Sequence, residues 1–215
     1  MKQLTADHWR NILYKFVSDE DFRPGLQKPF EQRGYVCATD AHVVLHVDRN
    51  LIPKGNDDYT PQEYVPNVSK VMPKPNPTFT ISIKDLRGCF VALGLNYDRL
   101  TKMCPECGGG GDVDWYYTDR TGDTHTKVDD CPCCSGTGEV HNGADCYCTI
   151  GDKAVLAYFM ILTHYAMVNL DIDTLKCTWG NSSLLLNLTD GVDILIATVP
   201  IPESRKNFPI KIEKI

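Results

Sequence analysis

One rule, Cys-x-x-Cys-x-Gly-x-Gly, is written twice in this 215-residue chain, as CPECGGGG over residues 104–111 and CPCCSGTG over residues 131–138. Two thiolates three positions apart can both turn inward on a tight turn. A second such pair completes a tetrahedron around one zinc ion at about 2.3 Å per sulfur. Cys104, Cys107, Cys131 and Cys134 are the expected ligands. The glycines after each second cysteine permit positive φ and let backbone N–H groups approach the sulfurs, where a side chain would obstruct. Four thiolates close the coordination sphere, so the metal is expected to be structural rather than catalytic. The rival use of so many cysteines is a disulfide framework in an exported protein. The opening MKQLTADHWRNILYKF has no apolar signal segment to support export, so a reducing cytoplasm is the expected compartment.

Residues 104–148, which hold seven of the ten cysteines, resemble the cysteine-rich zinc module of DnaJ-type chaperones. The resemblance covers about a fifth of the chain. That family carries four such repeats binding two zincs; two repeats imply one zinc here. Cys133, Cys146 and Cys148, with His125 and His141 nearby, offer donors for a second site or an alternative ligand to the first. The CYC string over 146–148 lacks the usual ligand spacing, and the bland reading of these three is reduced, partly buried thiols. No helical segment with an HPD signature occurs, so a complete co-chaperone is excluded. What the resemblance implies is a chaperone-like module that binds a basic or unfolded partner.

Between the two repeats, strands over 115–118 and 124–128 with a turn at 119–123 read as a hairpin. The stretch 104–148 carries nine acidic side chains (Glu106, Asp112, Asp114, Asp119, Asp123, Asp129, Asp130, Glu139, Asp145) against Arg120 and Lys127, a balance of −7. The whole chain is −6, so everything outside this stretch sums to +1. Such a module repels a phosphate backbone, which argues against a finger that grips DNA and for a protein-facing or purely stabilising one.

With 42% hydrophobic residues the chain can bury a real core, and the best apolar run, 154–162, is about half the length needed to span a bilayer. No membrane association is expected. Residues 4–17 read as an amphipathic helix with Thr5 as N-cap and Trp9, Ile12, Leu13 and Phe16 on one side. A polar, proline-broken connection follows, then two strands in GYVCATDAHVVLHVD, with a tight turn at 39–41. A proline-rich connection spans 52–77; FTISI reads as a strand and KDLRGCFVALG as a short helix. Past the cysteine stretch come an apolar helix over 152–168, three strands (LKCTWG, SLLLNLTDG, DILIATVPI), and a basic tail from Pro202 that is either an extension or an edge strand.

YVCATDAHVVLHV resembles the strand and turn segment of bacterial DNA sliding clamps, in which a VATDGHRLA-like string leads out of a βαβββ unit. Ala38, Thr39, Asp40 and His42 match; Ala41 stands for the usual glycine and Val43 for the usual arginine. A helix followed by a small meander occurs at both ends of the chain, and DILIATVPI is similar to the last strand of a clamp. The resemblance implies an α+β fold: a single DNA-clamp-like domain of two βαβββ halves, residues 1–103 and 149–215, with a zinc-binding β-hairpin module inserted at 104–148. One such domain must self-assemble to make a ring. Clamp helices that line the ring present a basic face to duplex DNA, and Arg10, Lys15, Lys84 and Arg87 are the candidate contacts, against the bland reading of solvated helix faces.

No catalytic constellation emerges. The histidines are scattered, and GGGG at 108–111 lacks the lysine and hydroxyl residue of a phosphate-cradling loop. Asp40 and His42 could be drawn as an acid and base pair of a hydrolase, yet such an aspartate commonly just caps its turn. The expected function is a non-enzymatic accessory protein of DNA metabolism. The rival is a protein-interaction module acting through the acidic hairpin.

Overall fold

The computed structural model describes residues 4–20, 22–55 and 65–215, so the proline-rich connection expected over 52–77 lies partly outside the described residues. In chain order the elements are α1 (Ala6–Leu13), β1 (Phe30–Gln32), β2 (Tyr35–Thr39), β3 (Val43–Asp48), β4 (Phe79–Ser82), α2 (Ile83–Leu93), β5 (Thr101–Met103), β6 (Asp112–Thr118), β7 (Thr124–Asp130), β8 (Glu139–His141), β9 (Cys146–Ile150), β10 (Lys153–Leu156), α3 (Ala157–Leu170), β11 (Thr174–Trp179), β12 (Ser183–Thr189), β13 (Val192–Ala197), β14 (Val199–Pro200), β15 (Lys206–Pro209) and β16 (Glu213–Lys214).

Thr5 caps α1, its Oγ1 accepting from the His8 amide at 3.3 Å, and Trp9, Ile12 and Leu13 turn into the core. The helix stops at Leu13, and Phe16 reaches the same core from the tight turns that follow. In the turn after β2, one oxygen of Asp40 accepts the amides of His42 and Val43 at 2.8 and 2.9 Å. Ala41 sits at φ +81°, the left-handed conformation that favours glycine. Ser82 caps α2 through the Asp85 amide, and Gly94 ends it at φ +72°.

An eight-stranded antiparallel sheet runs in the order β1-β2-β3-β13-β12-β11-β4-β16. Its centre is the join of two meanders, β1 to β3 and β11 to β13, paired from Val192↔Val47 to Ile196↔Val43. Each meander is led by a helix, α1 or α3, so the repeated helix-meander order read from the sequence is present. The second unit is a full βαβββ, because β10 precedes α3. That is a correction to the expected helix over 152–168: its first turn is strand, Lys153 to Leu156 pairing with β9. A second sheet runs β14-β10-β9-β15, with β15 parallel to β9. The basic tail is therefore edge strand, β15 on one sheet and β16 on β4 of the other.

Helix α3 is buried along nearly its whole length because α1 and α2 both pack on it and the sheets lie beneath. One continuous core joins Trp9, Leu45, Phe90, Met160, Ile161 and Leu186. Burial at this level holds the fold together at about 25 cal/mol per Å² of apolar surface. Phe30, Cys37, Val44, Val68, Leu185 and Leu195 form a smaller cluster. Among the described residues no helix is long and apolar enough to cross a membrane.

Candidate metal centre

The cysteine module leaves the body between α2 and β9. Its base is the pair β5–β8, with Thr101 opposite His141. That base is fixed to the body: the Asn142 side chain donates to the carbonyls of Asn96 and Arg99 at 2.6 and 3.0 Å, and the His141 ring stacks on Tyr158 of α3 at 4.1 Å. The hairpin β6–β7 projects beyond, with the two cysteine knuckles between base and hairpin.

The ligand atoms of Cys104, Cys107, Cys131 and Cys134 all lie within 4.8 Å of one another. The Sγ atoms of Cys104 and Cys131 are 3.8 Å apart, as are those of Cys107 and Cys134. A regular tetrahedron with metal–sulfur bonds of about 2.3 Å has sulfurs about 3.8 Å apart. The donor set and its spacing fit zinc. Cys104 and Cys131 are fully buried, Cys134 nearly so and Cys107 partly, which leaves no open coordination position facing a substrate cleft.

The glycines organise the centre as a reciprocal pair. Gly111 N–H donates to Cys107 Sγ and Gly138 N–H to Cys134 Sγ, each at 3.2 Å. Cys104 N–H donates to the Gly138 carbonyl at 2.9 Å, and Cys131 N–H to the Gly111 carbonyl at 2.8 Å. Each repeat therefore closes the other. Gly111 (φ +88°) and Gly138 (φ +76°) also touch the opposite knuckle: a Cβ on either would stand 2.5 Å from a backbone oxygen, that of Gly136 or of Gly109. Backbone N–H groups aimed at a sulfur favour its thiolate. The Cys107 amide above all, against the effect of burial, draws the Cys104 thiol down to about 6.

The remaining donors are placed elsewhere. Cys133 is exposed on the second knuckle. Cys146 and Cys148 lie on β9, which belongs to the four-stranded sheet and faces the main core, not the module in which 104–148 was expected to place them. The Cys148 sulfur is 3.5 Å from that of Cys89 on α2. His125 Nε2 is 2.9 Å from Asp119 Oδ2 in the hairpin turn, and His141 is stacked on Tyr158. Among the described residues the Cys104, Cys107, Cys131 and Cys134 cluster is the one group of three or more such side chains that converges. Cys133, Cys146 and Cys148 do not converge on a second site among the described residues, because closeness in sequence is not closeness in space here.

The four candidate DNA contacts divide. All four are exposed residues and differ in their partners, Arg10 lying over the Tyr14 ring at 5.5 Å. Lys15 stands with Arg99 and Lys102 beside a 770 Å³ cleft lined also by Asp98, Glu139, Tyr165 of α3 and the module's Gly109 and Gly138. Arg87 instead turns onto α3, its Nε–H donating to His164 Nε2 at 2.9 Å and its guanidinium 5.9 Å from the Tyr97 ring. Burial, and secondly the Arg87 charge, push the His164 pKa below 6.5, which keeps the ring a neutral acceptor. Sequence reasoning missed this pair because 77 positions separate its members. Asp40 caps its turn with one carboxylate oxygen, and the His42 ring stacks near Phe159 at 6.2 Å.

No protein-family model matches the chain, and no curated protein matches its sequence. In structure it is similar to the DNA polymerase sliding clamp of Caulobacter crescentus, with a TM-score of 0.50 and 10% identity over 92% of this chain and 65% of that one. The DNA polymerase III beta subunits of Borrelia burgdorferi (TM-score 0.49, 12% identity, 94% and 64% covered) and Pseudomonas aeruginosa (0.48, 11%, 90% and 64%) are also similar. The chain thus spans just under two thirds of the Caulobacter clamp. At such identity the likeness is one of fold: an α+β, clamp-like body carrying a four-cysteine cluster.

Proposed function

We propose that this chain is a non-enzymatic accessory protein of DNA metabolism, whose clamp-like body contacts duplex DNA through its helical layer and whose cysteine module holds one structural zinc ion. The observation that carries this reading is the pair of helix-led meanders joined edge to edge in one sheet, the arrangement shared in fold with the Caulobacter clamp. Fold alone does not assign function, so the charge distribution matters. The stretch 104–148 holds −7 of a chain total of −6, which leaves any phosphate contact to the body. Exposed Arg10 and Lys84 sit on α1 and α2, the two helices that flank α3, and exposed Lys15 lies in the turn just after α1. A single domain of this kind encircles DNA only by self-assembly, so a closed homo-oligomer is part of the proposal.

Zinc supplies a fixed tetrahedral node, and Cys104, Cys107, Cys131 and Cys134 hold it. We read the module as a one-site version of the DnaJ-type zinc module, in a reducing cytoplasm; all ten cysteines are free of disulfides. Four thiolates on a divalent ion add two further negative charges to the module.

Light scattering of the zinc-loaded protein, with and without short duplex DNA at low and moderate salt, tests the reading. A closed oligomer that retains DNA and releases it as salt rises is the expected result. A monomer indifferent to DNA refutes it. Metal analysis should find one zinc per chain, lost in Cys104→Ser.

A further inference from the structure

The hairpin β6–β7 is exposed along both strands. Tyr116 is 65% exposed, Tyr117 64%, Val128 61% and Trp115 50%, a density of uncovered apolar side chains that marks an interaction surface. Directly opposed residues of an antiparallel pair share a face. The register therefore sorts the hairpin into two unlike sides. Val113/Asp129, Trp115/Lys127 and Tyr117/His125 occupy one; Asp112/Asp130, Asp114/Val128 and Tyr116/Thr126 occupy the other.

On the first side the polar groups pair with one another, while Trp115 stays half exposed. Lys127 Nζ holds Asp129 at 2.6 Å, Tyr117 stacks on His125 at 4.9 Å, and His125 reaches Asp119 at 2.9 Å. The second side carries three carboxylates, none in an ion pair among the described residues, next to exposed Tyr116 and Val128. The module's other cation, Arg120, lies in the turn at the tip rather than among them.

We propose that the face formed by Asp112, Asp114, Tyr116, Val128 and Asp130 docks an extended basic segment of a partner protein. Its lysines or arginines lie over the carboxylates at the metal end, and an apolar side chain seats between Tyr116 and Val128. Charge complementarity selects this occupant. A nucleic-acid backbone is repelled by the three carboxylates, and a second copy of the same hairpin is repelled by its own net charge. The surface is also preorganised, which lowers the cost of ordering it on binding. At one end the cysteine cluster fixes the strands. At the other, Asp119 Oδ1 accepts Thr121 N–H at 2.9 Å and Asp123 N–H at 3.0 Å, locking the turn. The inference holds whether or not the body encircles DNA.

The test uses the full-length, zinc-loaded protein and a fluorescein-labelled peptide of alternating lysine and leucine, followed by anisotropy at two salt concentrations. Saturable binding is expected, weakened about tenfold or more by Tyr116→Ala. Asp114→Asn should reduce the salt dependence, while Tyr117→Ala on the opposite side changes affinity by less than about twofold. Far-ultraviolet circular dichroism and zinc content of each variant confirm that the hairpin is intact. Absence of saturable binding up to about 1 mM, equal losses from both faces, or preferential retention of a single-stranded oligonucleotide overturns the proposal. So does a light-scattering dimer whose formation the peptide does not disturb but Tyr116→Ala abolishes.

Discussion

Replacing Gly138 by alanine tests the reciprocal design of the metal centre most directly. The new Cβ would stand 2.5 Å from the Gly109 oxygen, 3.1 Å from its carbonyl carbon and 3.6 Å from its Cα, where ordinary contact begins at 3.4 Å. Nothing flexible is in the way; the obstacle is backbone. Relief requires Gly109 to move, and Gly109 lies between Cys107 and Gly111, whose amide donates to the Cys107 sulfur at 3.2 Å. The left-handed conformation at φ +76° adds about 1–2 kcal/mol for alanine, and overpacking of this kind adds about 1–3 kcal/mol. Because folding and metal binding are one process in a small zinc module, the loss appears as affinity. A mid-range value of about 3 kcal/mol is about a hundredfold. Gly108→Ala is the control: φ is +61°, but no atom lies within 4 Å of the added Cβ, so only the conformational part is lost. Competition against a chromophoric chelator should find Gly138→Ala weaker than Gly108→Ala by about tenfold. Gly111→Ala, whose Cβ meets the Gly136 oxygen at 2.5 Å, should match Gly138→Ala. Equal affinities for Gly138→Ala and Gly108→Ala would refute the claim that each knuckle is closed by the other's glycine.

Three further outcomes follow from the body. Ala41→Gly should stabilise the protein by about 1 kcal/mol in urea unfolding, since φ +81° strains alanine; a loss of stability would show that Ala41 has a packing role. The His164 pKa is depressed in the fold, so its contribution to stability is fully present above about pH 6.5 and is lost as pH falls through the folded value. His46, lowered mainly by burial, acts with the same sign, whereas Asp40 and Asp193, raised mainly by burial, act oppositely and only nearer the carboxylate range. His164→Gln should therefore flatten the fall in unfolding midpoint between about pH 7 and about pH 5.5, and an unchanged slope would remove His164 as a cause. Cys148→Ser buries a hydroxyl beside Cys89 and should destabilise the body by about 1–3 kcal/mol with zinc stoichiometry intact. Loss of zinc from that variant would return β9 to the metal module.

The parts of this structure that were legible in the sequence are those set by short-range rules. Cys104, Cys107, Cys131 and Cys134 could be chosen from ten cysteines because ligand spacing and the following glycines are local requirements of one tetrahedron. The ATDAH turn and the helix cap at Thr5 are of the same kind. What stayed hidden depended on distant partners. Ala154 and Val155 extend an apolar run into α3, and hydrophobic period alone cannot tell a short buried strand from the first turn of a buried helix. Only β9 and β14, pairing from either side, make Lys153 to Leu156 a strand. Cys146 and Cys148 follow the second repeat closely without the spacing of ligands, and sequence alone leaves them between spare donors and buried thiols. As alternate residues of β9 they point together into the core, an alternation that two cysteines and an intervening tyrosine reveal only once the strand is known.

Arg87 shows how the same limit bears on function. Its charge and its place on α2 are visible in the sequence, and both suit a phosphate contact. Its partner, His164, is one of the few polar residues of the apolar helix α3, beyond the module. A neutral imidazole that accepts the Arg87 Nε–H tethers that exposed guanidinium to α3, so of the two cations on α2 Lys84 is the one without such a tether among the described residues. On the proposed reading the cations that matter are then Lys15, Arg99 and Lys102, which share with Asp98 and Glu139 the cleft lined by Gly109 and Gly138 of the module. Lys102 is itself held by Asp145 at 3.2 Å, which joins that cleft electrostatically to the loop between β8 and β9. Lys15→Glu should therefore weaken duplex retention more than Arg87→Gln does, measured as the shift in the salt midpoint of release. The reverse order would mean that the helix pair α1 and α2, rather than the cleft beside the module, carries the contact.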